Sequence, residues 1–352
     1  MIRPSYLGRV LAARGYEIHV VIPPSEKTPE LFGLEKFPEV QVHRCPPGGS
    51  ITRGVVERLA AIAPELVHCV EPGRTTVPGT LWYARRTGAL SIVDMPDWMS
   101  RWQRWRQKYT VALEYVALQR ASAVVVASRE LLAYYQRRRH RARLYYLPFA
   151  VDLEAFALYG DRAAAVHARF GEQKIITYLG TLLPDYSPQE SLEMARILAG
   201  RRRDFKMVYV GKGPLQPALQ AQAEAWGIAD LVEFTGFVSD EDLPGYLLAS
   251  DVLVCPLEDN LANRSRCPSK AFWYLGARRP IVATKMGEVY RAIEDEGLYY
   301  NYGDNIDFAD QVEKALRGEA PIPSAERAEA HAWPAVADQY EELLAELRGG
   351  GA

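Results

Sequence analysis

A chain of 352 residues exceeds what one hydrophobic core usually organises, so two domains are expected. Hydrophobic residues make up 48% of the sequence and charged residues 24%, which is typical of a folded globular protein and excludes a disordered or fibrous chain. The net charge of −2 at pH 7 argues against nucleic acid as a partner.

The sequence predicts neither membrane insertion nor export. No run approaches the ~20 apolar residues needed to cross a bilayer, and the N-terminus lacks a basic-then-apolar secretory pattern. The four cysteines are scattered without metal-ligand spacing. We therefore expect a cytoplasmic protein in a reducing compartment, with no structural metal.

The first half of the chain has the pattern of a parallel sheet with crossover helices. A helix is predicted at 8–14 and ends at Gly15. A doubly wound domain normally opens with a strand and a glycine-rich turn, so we expect the first strand of this sheet to be missing. The predicted strands are 17–22, 66–70, 89–93, 123–127 and 144–147.

The second half repeats this rhythm. A linker is expected within 151–172, and a last helix at 335–347 precedes a glycine-rich tail. The predicted strands are 174–179, 205–210, 232–235, 252–255, 280–283 and 298–300. The predicted helices are 190–200, 214–226, 240–249, 270–277 and 305–317. The fold class is therefore α/β, with two Rossmann-like, doubly wound domains.

Several segments carry a family resemblance. Residues 268–284 (PSKAFWYLGARRPIVAT) are the most informative, and the others are 11–21 (LAARGYEIHVV), 148–152 (PFAVD), 210–214 (VGKGP), 232–238 (VEFTGFV) and 249–256 (ASDVLVCP). In this order they resemble the GT-B retaining glycosyltransferases of the family 4-like, group 1 type. That family has Pro-x-Lys-x-x-Glu-Tyr, then small residues and Pro-Ile-Val, where this chain has 268–284.

The resemblance implies an acceptor domain at 1–155, a donor nucleotide-sugar domain at 156–330, and a C-terminal helix and tail at 331–352 that packs back toward the first domain. It also implies a cleft between the domains and transfer with retention of configuration. The expected partners are a nucleotide-sugar donor and a glycan, polysaccharide or lipid-linked acceptor, with no cofactor and no metal. No catalytic base is assigned, because the leaving phosphate itself is thought to assist in this group.

Lys270 is the leading candidate for binding the donor phosphates. It lies at the start of a predicted helix, where backbone N–H groups and the helix dipole also favour an anion. Arg264 and Arg266 precede it and add possible donors. The alternative for all three is an ordinary solvated cation.

Further donor-side candidates lie where predicted strands end. The resemblance suggests contact with the nucleobase at Val238 and with the sugar at Glu288, while Trp273 is a candidate for ring stacking. Tight turns, solvent exposure and core packing are the competing interpretations. The remaining candidates are Gly180, Thr181, Gly211 and Gly213.

The chain departs from the family at its charged positions. Ser265 and Trp273 stand where the family has two glutamates, Thr181 stands where it has an arginine, and its lysine is replaced within 185–188 (DYSP). The family histidine of Asp-x-His-Asp is also lost in 94–97 (DMPD). One oxyanion donor is worth about 2.7–4 kcal/mol in a transition state, so Lys270, Arg264 and Arg266 must supply replacement charge or the site binds without turnover.

His68, Glu71 and Asp97 are the acceptor-side candidates. His68 lies at a predicted strand end, with Glu71 close behind it, and such ends face the ligand crevice of an open α/β sheet. A hydrogen-bonded structural histidine is the alternative.

Two basic segments suggest a surface role. Trp98, Trp102 and Trp105 share one face of a predicted helix among arginines, which favours peripheral contact with the inner face of a membrane, and core packing is the alternative. A second cluster at 137–143 (RRRHRAR) is basic as well.

Two functions from different classes remain open. The first is a hexosyltransferase that uses a nucleotide sugar. The second is a catalytically silent GT-B protein that binds a glycan, a nucleotide or a partner enzyme, and the missing glutamates favour it. A sugar-nucleotide epimerase is a third hypothesis, and it needs a histidine and carboxylate set that the sequence does not reveal.

Overall fold

The structure is a computed structural model and forms two compact units. It describes residues 2–23, 38–45, 50–70, 73, 75–98 and 107–349. Unit 1 comprises Met1–Phe149, Ser265–Cys267 and Trp333–Ala352, and unit 2 comprises Ala150–Arg264 and Pro268–Ala332. The end of the chain and one short segment of its second half thus belong to the first unit.

In the described part of Met1–Phe149, unit 1 contains both strands and helices. Serines are the N-cap residues of two helices, which start at Ile51 and Arg129. Ser50 Oγ accepts a hydrogen bond from Arg53 N–H, and Ser128 Oγ accepts one from Leu131 N–H. The elements are α1 (Ile2–Ala13), β1 (Ile18–Ile22), β2 (Val40–Arg44), α2 (Ile51–Ile62), β3 (Leu66–Val70), α3 (Thr76–Thr87), β4 (Leu90–Met95), α4 (Gln107–Arg120), β5 (Ala123–Val126), α5 (Arg129–Gln136) and β6 (Arg143–Tyr146).

The strands of unit 1 form two parallel sheets rather than the single sheet expected. Among the described residues, one sheet has the order β3-β4-β5-β6, and β1 pairs with β2 in the other. In the part of the chain that the structure describes, α1 is the element that precedes β1. The sequence analysis missed β2, because its side chains are mostly half-buried or exposed and give a weak strand signal.

Three helices cover one face of the four-stranded sheet of unit 1. Its strands follow in sequence order, so right-handed crossovers place α3, α4 and α5 on one face. There Val77, Leu113 and Leu131 pack on Cys69 and Val93 of the sheet. α1 packs against the final helix of the chain.

Unit 2 contains one six-stranded parallel sheet with the order β12-β11-β10-β7-β8-β9. Its elements are α6 (Leu153–Tyr159), α7 (Arg162–Phe170), β7 (Lys174–Leu179), α8 (Pro188–Ala199), β8 (Phe205–Val210), α9 (Gln216–Ala225), β9 (Val232–Gly236), α10 (Leu243–Ala249), β10 (Val252–Cys255), α11 (Leu261–Arg264), α12 (Ser269–Ala277), β11 (Ile281–Thr284), α13 (Gly287–Ile293), β12 (Leu298–Tyr300), α14 (Asn305–Leu316) and α15 (Ala325–Ala330). The final helix of unit 1 is α16 (Trp333–Gly349).

The sheet order of unit 2 locates a ligand crevice on topological grounds. The chain runs from β7 outward through β8 and β9, and then returns to the other side of β7 with β10, β11 and β12. The order reverses between β7 and β10, and ligands of open α/β sheets bind outside the carboxyl ends of the strands at such a switch point. The segment expected to hold a linker forms α6 and α7 instead.

Candidate functional site

Lys270 lies at the switch point of the unit 2 sheet. It is in the first turn of α12, its side chain is 5% exposed, and Nζ is 4.5 Å from the centroid of the Tyr178 ring on β7. Burial raises the pKa of the Cys255 thiol at the end of β10, and the charge of Lys270 opposes that shift. A positive charge therefore stands where β7 and β10 end, beside a helix N-terminus that also favours anions.

Tyr274, one helical turn after Lys270, fastens α12 to both central strands. Its hydroxyl accepts from Leu179 N–H at 2.9 Å and donates to the Val254 carbonyl at 3.0 Å, and its side chain is fully buried. The sequence analysis missed this residue. The i, i+4 spacing from Lys270 was the available signal, because it places both side chains on one helix face.

The glycines at the strand ends are required by neighbouring backbone. A Cβ on Gly211 would lie 2.1 Å from the carbonyl oxygen of Gly180, and one on Gly213 would lie 2.5 Å from that of Leu182. Gly180 and Gly211 also have φ values of +142° and +139°. Neighbouring backbone therefore accounts for Gly211 and Gly213, and the positive φ accounts for Gly180. Thr181 follows at the surface, and its carbonyl accepts from the Tyr178 hydroxyl at 3.4 Å.

Val238 is half-buried in the loop after β9. The preceding Phe237 is 74% exposed, and Lys212 Nζ lies 5.7 Å from the centroid of its ring. An exposed aromatic ring with a cation beside it thus lies at the carboxyl end of the sheet.

Three other donor-side candidates have partners within the protein. Arg264 forms a two-pronged ion pair with Asp259, at 2.6 and 2.8 Å. Glu288 is buried in the first turn of α13, with Arg291 Nε 3.5 Å from its carboxylate, so it is not the solvent-exposed residue considered as an alternative. Trp273 is 6% exposed, and its ring lies 5.6 Å from that of Phe156 on α6.

Glu190 is a buried acid that the sequence analysis did not select. It lies in the first turn of α8 and accepts from Gly303 N–H, in the loop after β12, at 3.2 Å. Burial raises its pKa above the ordinary 4.5, and the hydrogen bond from Gly303 opposes the shift. The side chain therefore ties α8 to the loop that follows the edge strand β12.

His68 and Asp94 belong to a buried polar cluster in unit 1. Asp94 is fully buried, with Oδ2 at 3.3 Å from Arg3 Nη1 and 3.6 Å from His68 Nε2. Arg3 Nη2 donates to the Leu147 carbonyl at 2.7 Å. His68 Nδ1 is 3.0 Å from the Tyr340 hydroxyl on α16, and the two rings stack. The cluster therefore joins α1 and α16 to strands β3 and β4.

Asp97 and Arg266 lie close enough to interact in unit 1. Burial raises the pKa of Asp97, the charge of Arg266 opposes the shift, and Asp94 adds to it. Arg266 was proposed on the donor side, whereas its segment, Ser265–Cys267, belongs to unit 1. Neighbouring contacts fix that segment, because Ser128 Oγ donates to the Ser265 carbonyl at 2.8 Å and Phe149 N–H lies 3.4 Å from Cys267 Sγ.

One acceptor-side candidate and two of the tryptophans predicted to contact a membrane lie outside the described residues. They are Glu71, Trp102 and Trp105. Trp98 was proposed for membrane contact, but its ring packs into the core of unit 1, 4.1 Å from the centroid of Tyr134. The prediction is therefore wrong for Trp98, and core packing applies to it.

Comparison with known proteins identifies the family. A model of group 1 glycosyl transferases matches residues 173–318, and a model of the glycosyl transferase 4-like domain matches residues 3–150. The chain belongs to the group 1, glycosyltransferase 4-like family. The resemblance and the fold class expected from the sequence are thereby confirmed.

Individual relatives agree with this assignment. An Anabaena protein, HepE, solved with UDP and glucose, superimposes with a TM-score of 0.76 at 16% identity, over 97% of this chain and 95% of that one, which shows the GT-B fold. Alpha-D-kanosaminyltransferase of Streptomyces kanamyceticus is 29% identical over 52% of this chain and 50% of its own length. A GDP-mannose-dependent alpha-(1-6)-phosphatidylinositol monomannoside mannosyltransferase of Mycobacterium tuberculosis is 35% identical over 33% of this chain and 30% of its own length. The chain thus spans half or less of these curated relatives.

Proposed function

We propose that this chain transfers a hexosyl group from a nucleotide sugar to a glycan, polysaccharide or lipid-linked acceptor, with retention of configuration. The observation that carries the proposal is Lys270 at the switch point between β7 and β10. A diphosphate leaving group gains negative charge as its bond to the sugar breaks, and a fixed cation beside a helix N-terminus stabilises that charge. The relatives named for UDP, GDP-mannose and glycosyl transfer support a nucleotide-sugar donor.

The reaction balances without a base from the protein. The bond between the anomeric carbon and the β-phosphate oxygen breaks, and the acceptor hydroxyl oxygen forms a new bond to that carbon on the same face. The hydroxyl proton passes to the departing phosphate. In this scheme Lys270 stabilises the phosphate, and Tyr274 keeps α12 and hence Lys270 in place.

On the acceptor side we propose His68 and Asp97, both in unit 1. His68 is held by Tyr340 and lies 3.6 Å from Asp94, so its ring orientation is fixed. Asp97 is half-buried, burial raises its pKa, and the charge of Arg266 opposes that shift, so its carboxyl group is a candidate hydrogen-bonding partner for an acceptor hydroxyl.

Titration calorimetry with UDP and GDP tests the donor site. Lys270→Met removes the charge but keeps the length of the side chain, and we expect it to weaken binding about tenfold or more, because hydrogen bonds to a charged group are worth about 1.5–3 kcal/mol. Lys206→Met is the matched control, since Lys206 lies on β8 and donates to the Asp230 carbonyl. Binding that Lys270→Met leaves unchanged would refute the proposal, as would no binding of any nucleoside diphosphate.

A catalytically silent binding protein is the second candidate. Neither family glutamate is present, and the two positions are occupied by the fully buried Ser265 and by Trp273, which packs on Phe156. Measurement of nucleoside diphosphate release from nucleotide sugars separates the two functions. Binding that depends on Lys270, without release in the presence of any glycan or lipid acceptor, would favour the silent protein.

A further inference from the structure

The outer side of two helices in unit 1 carries a concentration of exposed apolar side chains. Of the ten large hydrophobic residues that are exposed in the described part of the chain, five lie on α3 and α4. We call them the α3–α4 face: Trp82, Tyr109, Val111, Tyr115 and Val116, which are 51%, 41%, 47%, 59% and 41% exposed.

This face points away from the unit 1 core. Both helices pack on the same face of the β3–β6 sheet, α3 through Val77 and α4 through Leu113 and Leu118. On α4 the exposed Val111 and Tyr115 are four residues apart, and so are Ala112 and Val116, which makes a continuous stripe opposite the buried one.

The exposed charges on α3 and α4 have one sign. Four exposed cations lie on these two helices, namely Arg85, Arg86, Lys108 and Arg120. The one acid of the two helices, Glu114, is 5% exposed and contacts Tyr135 on the core side. A surface with exposed aromatic and aliphatic groups, basic neighbours and a buried acid is complementary to an anionic lipid surface.

The same charges disfavour a second copy of this chain as the occupant. In a two-fold symmetric dimer, each patch meets its own copy, so eight cations would face one another without an exposed acid from either helix. Tyrosine and tryptophan are enriched where proteins meet the membrane–water interface, because each has an apolar body and a polar tip.

We propose that the α3–α4 face docks on an anionic phospholipid bilayer and holds the protein at the membrane surface. The proposal rests on the proposed function in one respect: if the chain is a glycosyltransferase, docking on a membrane favours a lipid-linked acceptor over a soluble one. Trp98 has no part in this contact because it packs in the core. Trp82 and Tyr115 are the expected anchors, and Arg85 and Arg86 supply charge beside Trp82.

Flotation with lipid vesicles tests the docking. We expect the full chain to bind vesicles of 70% phosphatidylcholine and 30% phosphatidylglycerol, and to bind pure phosphatidylcholine at least about tenfold more weakly. The double variant Trp82→Ser/Tyr115→Ser should lose about tenfold or more of the binding. Arg85→Glu/Arg86→Glu should lose about 30-fold or more, because each cation near an anionic surface contributes roughly fivefold.

The matched control removes equally exposed apolar groups elsewhere. Leu158→Ser/Ile306→Ser changes residues that are 61% and 62% exposed on α6 and α14, and it should bind vesicles as the unaltered chain does. Equal vesicle binding by the Trp82/Tyr115 variant would overturn the proposal, and so would no binding to anionic vesicles. A dimer in light scattering that this variant dissociates would overturn it as well and would show a protein interface.

Nucleotide titration keeps the two proposals separate. The Trp82/Tyr115 variant should bind UDP or GDP as the unaltered chain does, because neither residue lies in unit 2, and an unchanged urea unfolding midpoint shows that unit 1 is still folded. If vesicle binding fails while the Lys270 dependence of nucleotide binding persists, only the docking proposal is lost. Vesicle binding that persists while nucleotide binding fails refutes the donor site alone.

Discussion

Replacing Tyr274 with phenylalanine removes one hydroxyl and leaves two backbone groups without their partner. The hydroxyl bridges Leu179 N–H and the Val254 carbonyl, and the side chain is fully buried. A buried donor that loses its partner costs about 1–3 kcal/mol, and the carbonyl, which has a second lone pair, adds about 1 kcal/mol. We therefore expect Tyr274→Phe to lower the free energy of unfolding by about 2–4 kcal/mol.

The assay combines urea denaturation with amide exchange at one position. The midpoint of unfolding gives the change in stability, and exchange of the Leu179 amide hydrogen should accelerate, because that amide loses its acceptor. Tyr115→Phe is the control, since its side chain is 59% exposed and water replaces its hydroxyl. A loss below about 0.5 kcal/mol, or a Leu179 amide that exchanges at the original rate, would refute the reasoning.

Two further predictions concern buried charge. Asp94→Asn should lower the free energy of unfolding by about 3–5 kcal/mol in urea denaturation, because it leaves the buried Arg3 guanidinium without its counter-charge. Glu57→Gln is the control: it breaks the exposed pair with Arg53 and should cost below about 1 kcal/mol. Equal losses in the two variants would contradict the prediction. Glu190 has a raised pKa, so the folded protein holds this proton more tightly than the unfolded chain does. Stability from Glu190 is therefore lost as pH rises from its ordinary value of 4.5 through the raised folded value. The stability of the unaltered chain relative to Glu190→Gln should fall across that window, and a difference that stays flat up to neutral pH would show that the shift is absent.

Most strands of the sheets could be predicted, because a buried strand is recognisable from its own short stretch of sequence. The predicted strands 66–70, 174–179, 205–210 and 252–255 coincide with β3, β7, β8 and β10. Buried parallel strands are continuous β-branched runs between glycine or polar turns, so composition and length suffice to find them. β2 was missed because its half-exposed side chains do not form such a run.

For the candidate site, the sequence could predict only residues that belong to one local motif. Lys270 was found because a motif and a helix start coincide there, and the structure places it at the end of β7. Trp273, three residues later, turns toward Phe156. Their positions on the helix fix the angle between the two side chains, but the residues that each side chain contacts lie far away in the sequence.

The sequence by itself determined most of the strands, the Rossmann-like class and the family, because each depends on residues close together in the chain. Tertiary structure decided which polar groups are buried together. Tyr274 joins residues 95 and 20 positions away, and Arg3 meets a carbonyl 144 positions away. Such partners form hydrogen bonds with one another only after the helices have packed on the sheets. Burial makes these bonds necessary, because a buried polar group without a hydrogen-bond partner costs free energy.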